Sequence, residues 1–124
     1  MKVTIIDYGA GNVPSVERAL QRLGAEPLRT ASAEAVANAQ ALLLPGVGHC
    51  AALVRALDEQ NLRAPLIAAI QRGVPFLGIC LGLQVLYESS GEAPQLHGLH
   101  MLPGNVCALP CHVKLPHMGW NQVT

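Results

Sequence analysis

The chain has 124 residues, of which 51% are hydrophobic and 13% charged, and its formal net charge is zero. That composition excludes a disordered chain, supplies apolar mass for one domain, and leaves no basic cluster to grip a nucleic acid. Only Tyr8, Phe76, Tyr87 and Trp120 are aromatic, so the core has to be built from Leu, Val, Ile and Ala.

No segment approaches the ~20 uninterrupted apolar residues of a membrane span. Met1 leads straight into a strand-like run, which leaves no room for a signal peptide and predicts a cytoplasmic protein. In a reducing compartment Cys50, Cys80, Cys107 and Cys111 are expected to be free thiols.

Val3 to Asp7 reads as a short buried strand, followed by the loop Tyr8-Gly9-Ala10-Gly11-Asn12. Pro14 suits a first helical turn, Val16, Ala19, Leu20 and Leu23 recur at helical spacing, and Gly24 is a stop. Glu26 to Thr30 forms a second strand, and Ser32 caps a short helix running to about Ala39. Ala41 to Leu44 is a third strand, ended by Pro45-Gly46-Val47-Gly48. Helices are expected from about His49 to Leu57 and from Leu62 to Arg72, the second closed by Gly73 and Pro75. Phe76 to Ile79 is a fourth strand, and Leu81 to Glu88 the helix after it. Beyond Gly91, Pro and Gly recur, and Val106 to Leu109 looks like an antiparallel strand or a loop.

Strands that are continuous apolar runs alternating with helices imply a parallel sheet covered on both faces. Reactive groups of such sheets gather at the carboxyl ends of the strands. Three segments fall there: residues 8–12, 45–49 and the run at Cys80.

Gly78-Ile79-Cys80-Leu81-Gly82 has the form G-x-C-x-G, the thiol counterpart of the serine nucleophile elbow. An abrupt strand-to-helix turn exposes the residue at its apex, and small neighbours let strand and helix approach. The N–H groups that open the helix favour a thiolate. Cys80 is the candidate nucleophile. The Pro45 to Gly48 glycines permit close approach to a ligand, and amides of this loop with that of Leu81 are placed to form an oxyanion hole. Gln84 and Glu88 fall on one face of the predicted helix, with Gln84 one turn from Cys80. None of His49, His97, His100, His112 and His117 is placed by sequence as the base a Cys nucleophile needs; His49 would sit beside the amides rather than behind the sulfur. Cys107, Cys111 and His112, even with His49 and Cys50, lack the paired spacing of structural zinc sites, so no metal is expected.

The segment Gly78 to Gln84 resembles the nucleophile segment of class I, triad-type glutamine amidotransferases. Asp7 to Asn12, Leu44 to Gly48, and Pro116-His117-Met118-Gly119-Trp120-Asn121 together resemble the glutaminase subunits of imidazole glycerol phosphate synthases, over essentially the whole chain. The resemblance implies an α/β, flavodoxin-like three-layer sandwich with a mostly parallel sheet. It implies that Cys80 attacks the glutamine carboxamide to give a thioester and ammonia, and that water then releases glutamate. It assigns the oxyanion amides to Val47 and Leu81, glutamine binding to Gly48, Gln84 and Glu92, and a partner interface to the loops around Asn12 and Trp120. The implied partner is a (β/α)₈-barrel cyclase subunit that receives the ammonia, and no cofactor is implied.

The family completes its triad with a His and a Glu in a His-Pro-Glu motif, which this sequence does not contain. Residues 1–124 are therefore expected to form a single, incomplete amidotransferase domain, a fragment or truncated product. An uncovered sheet edge and face, and negligible glutaminase activity of the isolated chain, are expected with it. A catalytically dead barrel-docking module, an amidotransferase of another pathway, and a thiol sensor using Cys80 remain as alternative readings.

Overall fold

The computed structural model describes residues 1–124. Its elements are β1 (Lys2–Ile6), α1 (Val13–Arg22), β2 (Glu26–Thr30), α2 (Ala33–Ala37), β3 (Leu42–Gly46), α3 (Cys50–Glu59), α4 (Arg63–Gln71), β4 (Phe76–Cys80), α5 (Leu81–Gln84), β5 (Ser89–Ser90) and β6 (Asn105–Val106). The first four strands form one all-parallel sheet in the order β2-β1-β3-β4, the α/β architecture expected from the alternating pattern. No helix is long and apolar enough to cross a membrane.

The helix ends follow from local chemistry. Ser32 Oγ accepts the Ala35 N–H at 3.3 Å, and His49 Nδ1 accepts the Ala51 N–H at 3.1 Å. α1 and α4 both close in a Schellman arrangement: the Ala25 and Val74 amides reach back to the Leu20 and Ala69 carbonyls. Gly24 and Gly73 supply the positive φ (76° and 86°) that this closure needs.

The two faces of the sheet are unequally covered. One packs against α2 to α5 through a cluster of 15 buried residues that includes Ile6, Leu42, Leu44, Leu53, Leu57 and Leu66. The other is covered only by α1, over Val3, Ile5, Val13, Ala41 and Leu43. On β4, Phe76 turns to the large core, while Leu77 and Ile79 point to the α1 side and stay 56% and 41% exposed. They line an open apolar groove with Val16, Leu20 and Leu43. Two-sided cover, implied by the run of apolar strands, thus fails at β4, the edge strand. The β4 edge and the face over Leu77 and Ile79 are open.

Two further expectations are corrected. The helix after Cys80 ends at Gln84, not Glu88. The next carbonyls are claimed from outside the helix: Val85 O accepts the Leu99 N–H, and Leu86 O accepts those of Met101 and Leu102. Glu88 therefore does not share a helix face with Gln84; its carboxylate accepts the Gly104 N–H instead. The short strand at Val106 is parallel, not antiparallel, to its partner β5.

Candidate functional site

Cys80 is the last ladder residue of β4 and the residue that caps α5, and it is exposed. Its backbone sits at φ 56°, ψ −113°, a region that non-glycine residues avoid. The sharp turn is possible because α5 lies directly on the sheet. A Cβ on Gly82 would collide with the Leu44 carbonyl group, and one on Gly78 would collide with the Gly82 carbonyl. Only glycine fits at either place, which is the packing reason for G-x-C-x-G.

The second oxyanion segment lies alongside. Gly46 pairs with Cys80 in the β3–β4 ladder, so Val47 and Gly48 leave the sheet beside the thiol. A Cβ on Gly46 would come within 2.7 Å of Leu81 Cβ, which shows how closely the two turns are packed. The Leu81 N–H, at the first position of α5, has no intrahelical acceptor. The Val47 N–H is already engaged, donating to the Tyr8 hydroxyl at 3.3 Å.

Gln84 and Glu92 come together in a cleft of about 350 Å³ with Ser90, Gly91, Val106, Cys107 and Ala108. That volume is within the range of small-molecule pockets, roughly 300–1,000 Å³. Cys80 and Gly48 do not line this cleft. The Glu92 carboxylate accepts the Cys50 N–H at 3.1 Å, so it anchors the start of α3 as well as walling the cleft.

The remaining candidates are not gathered here. His49 spends its Nδ1 on the α3 cap, and His97 and His100 stand against each other with ring centroids 5.6 Å apart. His112 and His117 lie in the exposed tail, as do Cys107 and Cys111, and no group of three or more His, Cys, Asp or Glu side chains is placed to hold a metal ion. Asn12 caps α1 without a side-chain hydrogen bond and lines the apolar groove, and Trp120 is fully exposed. Nothing in the structure links these two.

Sequence reasoning missed Tyr8. It is buried against the large core, its carbonyl accepts the Gln60 Nε2–H at 3.2 Å, and burial pushes its hydroxyl pKa above the ordinary value, against the lowering effect of the Val47 hydrogen bond. The available signal was an aromatic at the carboxyl end of β1 in a chain with only four aromatics.

A profile of the family described as "Glutamine amidotransferase class-I" matches residues 4–124. An "Imidazole glycerol phosphate synthase subunit HisH" of Methanothermobacter thermautotrophicus is 47% identical over 98% of this chain and 60% of its own length. Proteins of the same description from Moorella thermoacetica and Methanopyrus kandleri are each 48% identical, over 58% and 61% of their lengths. The chain thus spans about 60% of the length of these curated relatives. Among solved structures, one described as a glutamine amidotransferase superposes with a TM-score of 0.68 over 78% of this chain and 51% of its own, at 22% identity. A putative peptidase E protein from Listeria monocytogenes matches with the same TM-score over 82% of this chain and 62% of its own, at 16% identity. At such identities these two speak to the fold alone. With the strained elbow, the glycine-built contact beneath it and a profile match over nearly the whole sequence, the chain belongs to the class I glutamine amidotransferase family.

Proposed function

We propose that this chain is the nucleophile-bearing part of the glutaminase subunit of an imidazole glycerol phosphate synthase, a cytoplasmic enzyme of histidine biosynthesis. The observation that carries the reading is the ladder pairing of Gly46 with Cys80, which sets a Pro-Gly-Val-Gly loop beside an exposed thiol on a strained turn. The 47–48% identity to HisH subunits supports the choice of pathway.

In this reading the Cys80 thiolate adds to the glutamine side-chain carbonyl, and the Val47 and Leu81 amides hold the resulting oxyanion. Collapse forms the γ-glutamyl thioester as the amide nitrogen leaves, protonated, as ammonia. Water adds to the thioester, releases glutamate and returns the thiol. Gln84, Glu92 and Gly48 hold the substrate. Ammonia passes to a (β/α)₈-barrel cyclase partner that contacts the loops around Asn12 and Trp120, giving a heterodimer. The proton-transferring base is none of the five histidines in these 124 residues, which form a single, incomplete amidotransferase domain. The chain alone is accordingly inactive in turnover.

The test is to trap the thiol. A chloroketone analogue of glutamine is expected to label Cys80, with glutamine protecting it and Cys80→Ala abolishing the label. Labelling that glutamine leaves unchanged refutes the substrate assignment. Steady ammonia release from glutamine by the purified chain with its cyclase partner refutes the assignment of the base.

A further inference from the structure

The Val47 amide is one of the two donors on which the proposed oxyanion hole depends, and in the structure it is occupied. Its N–H donates to Tyr8 Oη across 39 residues of sequence, at 3.3 Å. Tyr8 is fixed from both ends. Its ring is packed into the large core at 7% exposure, and its carbonyl accepts from Gln60. The next residue is also braced, since the Gly9 N–H donates to Asp7 Oδ1 and Asp7 is paired with Arg29. Val47, by contrast, is half exposed and is followed by Gly48 at φ 94°. A rigid acceptor therefore faces a movable donor.

We propose that Tyr8 is a positioning residue that acts as a placeholder, its phenol oxygen occupying the Val47 N–H until the substrate oxygen displaces it. The inference rests on the glutaminase reading of the site. The exchange runs in the useful direction, because a developing oxyanion is a stronger acceptor than a neutral phenol. Burial raises the Tyr8 pKa and outweighs the Val47 hydrogen bond, which lowers it, so the placeholder does not itself become a competing anion. The energetic consequence is a weaker hold on neutral carbonyl ligands, with the Val47 donor spent only as negative charge appears on the substrate oxygen.

Tyr8→Phe removes the acceptor and keeps the ring. The experiment compares two reagents on Cys80 in the wild-type chain and the variant. With the chloroketone analogue of glutamine, the thiolate adds to the ketone carbon and the ketone oxygen takes up the charge; sulfur then bonds to the methylene as chloride leaves, and the bond from sulfur to the former ketone carbon breaks as the C=O reforms. With iodoacetamide, sulfur displaces iodide at a methylene and no oxyanion forms. Tyr8→Phe is expected to speed the chloroketone reaction about threefold to tenfold, the net worth of one neutral hydrogen bond. The iodoacetamide rate is expected to stay within about twofold, since a spent amide does not bear on that reaction. An unchanged or slower chloroketone reaction overturns the placeholder role, as does an equal acceleration of both reagents, which would mean that Tyr8 merely shields the thiol. If glutamine fails to protect Cys80 from the chloroketone in either protein, the glutaminase reading falls and the placeholder role with it. These results are distinguishable because protection by glutamine is measured separately from the variant-to-wild-type ratio.

Discussion

Substituting Gly82 by Ala tests the packing argument for the elbow. The added Cβ would lie 2.9 Å from the Leu44 carbonyl carbon and 3.3 Å from Leu44 Cγ, with the carbonyl oxygen nearer still. Leu44 is fully buried in the central strand β3, so the neighbour that must yield is ladder backbone rather than a flexible side-chain end. Overpacking of this kind costs roughly 1–3 kcal/mol, and the rigid neighbour puts Gly82 at the upper end. Ala is the better helix former by about 1 kcal/mol, which offsets part of that cost. The expected net loss is about 2 kcal/mol. For a chain of this length that lowers Tm by roughly 8 °C, taking an unfolding entropy of about 2.1 cal/mol/K per residue. Urea unfolding followed by circular dichroism measures it. Gly119→Ala is the control, because a Cβ there meets nothing within 4 Å, and it is expected to change stability by less than about 0.5 kcal/mol. A Gly82→Ala protein as stable as the Gly119→Ala protein would refute the claim that helix–sheet contact dictates this glycine.

Other consequences are open to measurement. Arg63 donates to both Asp58 oxygens and to the His97 and Gly98 carbonyls, so Arg63→Ala is expected to cost about 2 kcal/mol in urea unfolding, with Lys recovering less than half. Leu77→Lys with Ile79→Lys places charge on the uncovered face beside an open edge, and sedimentation is expected to show less self-association than wild type; equal association would show that this face is not the sticky one. The Tyr8 pKa is raised in the fold from 10.0, so the folded state holds its proton more tightly than the unfolded chain does. Its contribution is complete below pH 10 and is lost as pH rises through the raised value; the stability difference between wild type and Tyr8→Phe is expected to shrink there and nowhere lower.

How much of this was legible in the sequence depended on the range of the cause. β2 is recognisable residue for residue, Glu26 to Thr30, because a short extended run is bounded by its own turn signals. The caps at Ser32 and the closures at Gly24 and Gly73 are likewise local. The elbow is local too, and its glycines announced a close approach whose counterpart, the Leu44 carbonyl, they did not name. The end of α5 was not legible, since it is set by the Leu99, Met101 and Leu102 amides, which arrive from more than a dozen residues away. The pairing of β5 with β6 involves two residues on each side and has no periodicity to find. Resemblance pointed to Glu92 as a substrate ligand, but its bond to the Cys50 amide, 42 residues distant, exists only in the folded chain. Tyr8 escaped for the same reason.

The elbow also makes a claim about sign. At an ordinary strand end, Gly is less stable than Ala by roughly 0.5–1 kcal/mol, because it loses more backbone entropy on folding. At φ 56°, ψ −113° any Cβ is strained, at a cost of about 1–3 kcal/mol. If the surrounding structure imposes that conformation, the order must invert. Cys80→Gly and Cys80→Ala both remove the thiol, so their difference isolates the backbone. The supports are on the well-covered side of the sheet: Leu81 is 4% exposed, Val85 is 1% exposed, and Gly46 is paired with Cys80 itself. They do not depend on Leu77 or Ile79, so the open face does not relax the turn. The Cys80→Gly protein is therefore expected to be more stable than Cys80→Ala by about 1 kcal/mol in urea unfolding, strain relief exceeding the entropic cost. An Ala variant equal to or more stable than the Gly variant would mean that the turn relaxes once the sulfur is gone, and that the thiol is not held out by the fold.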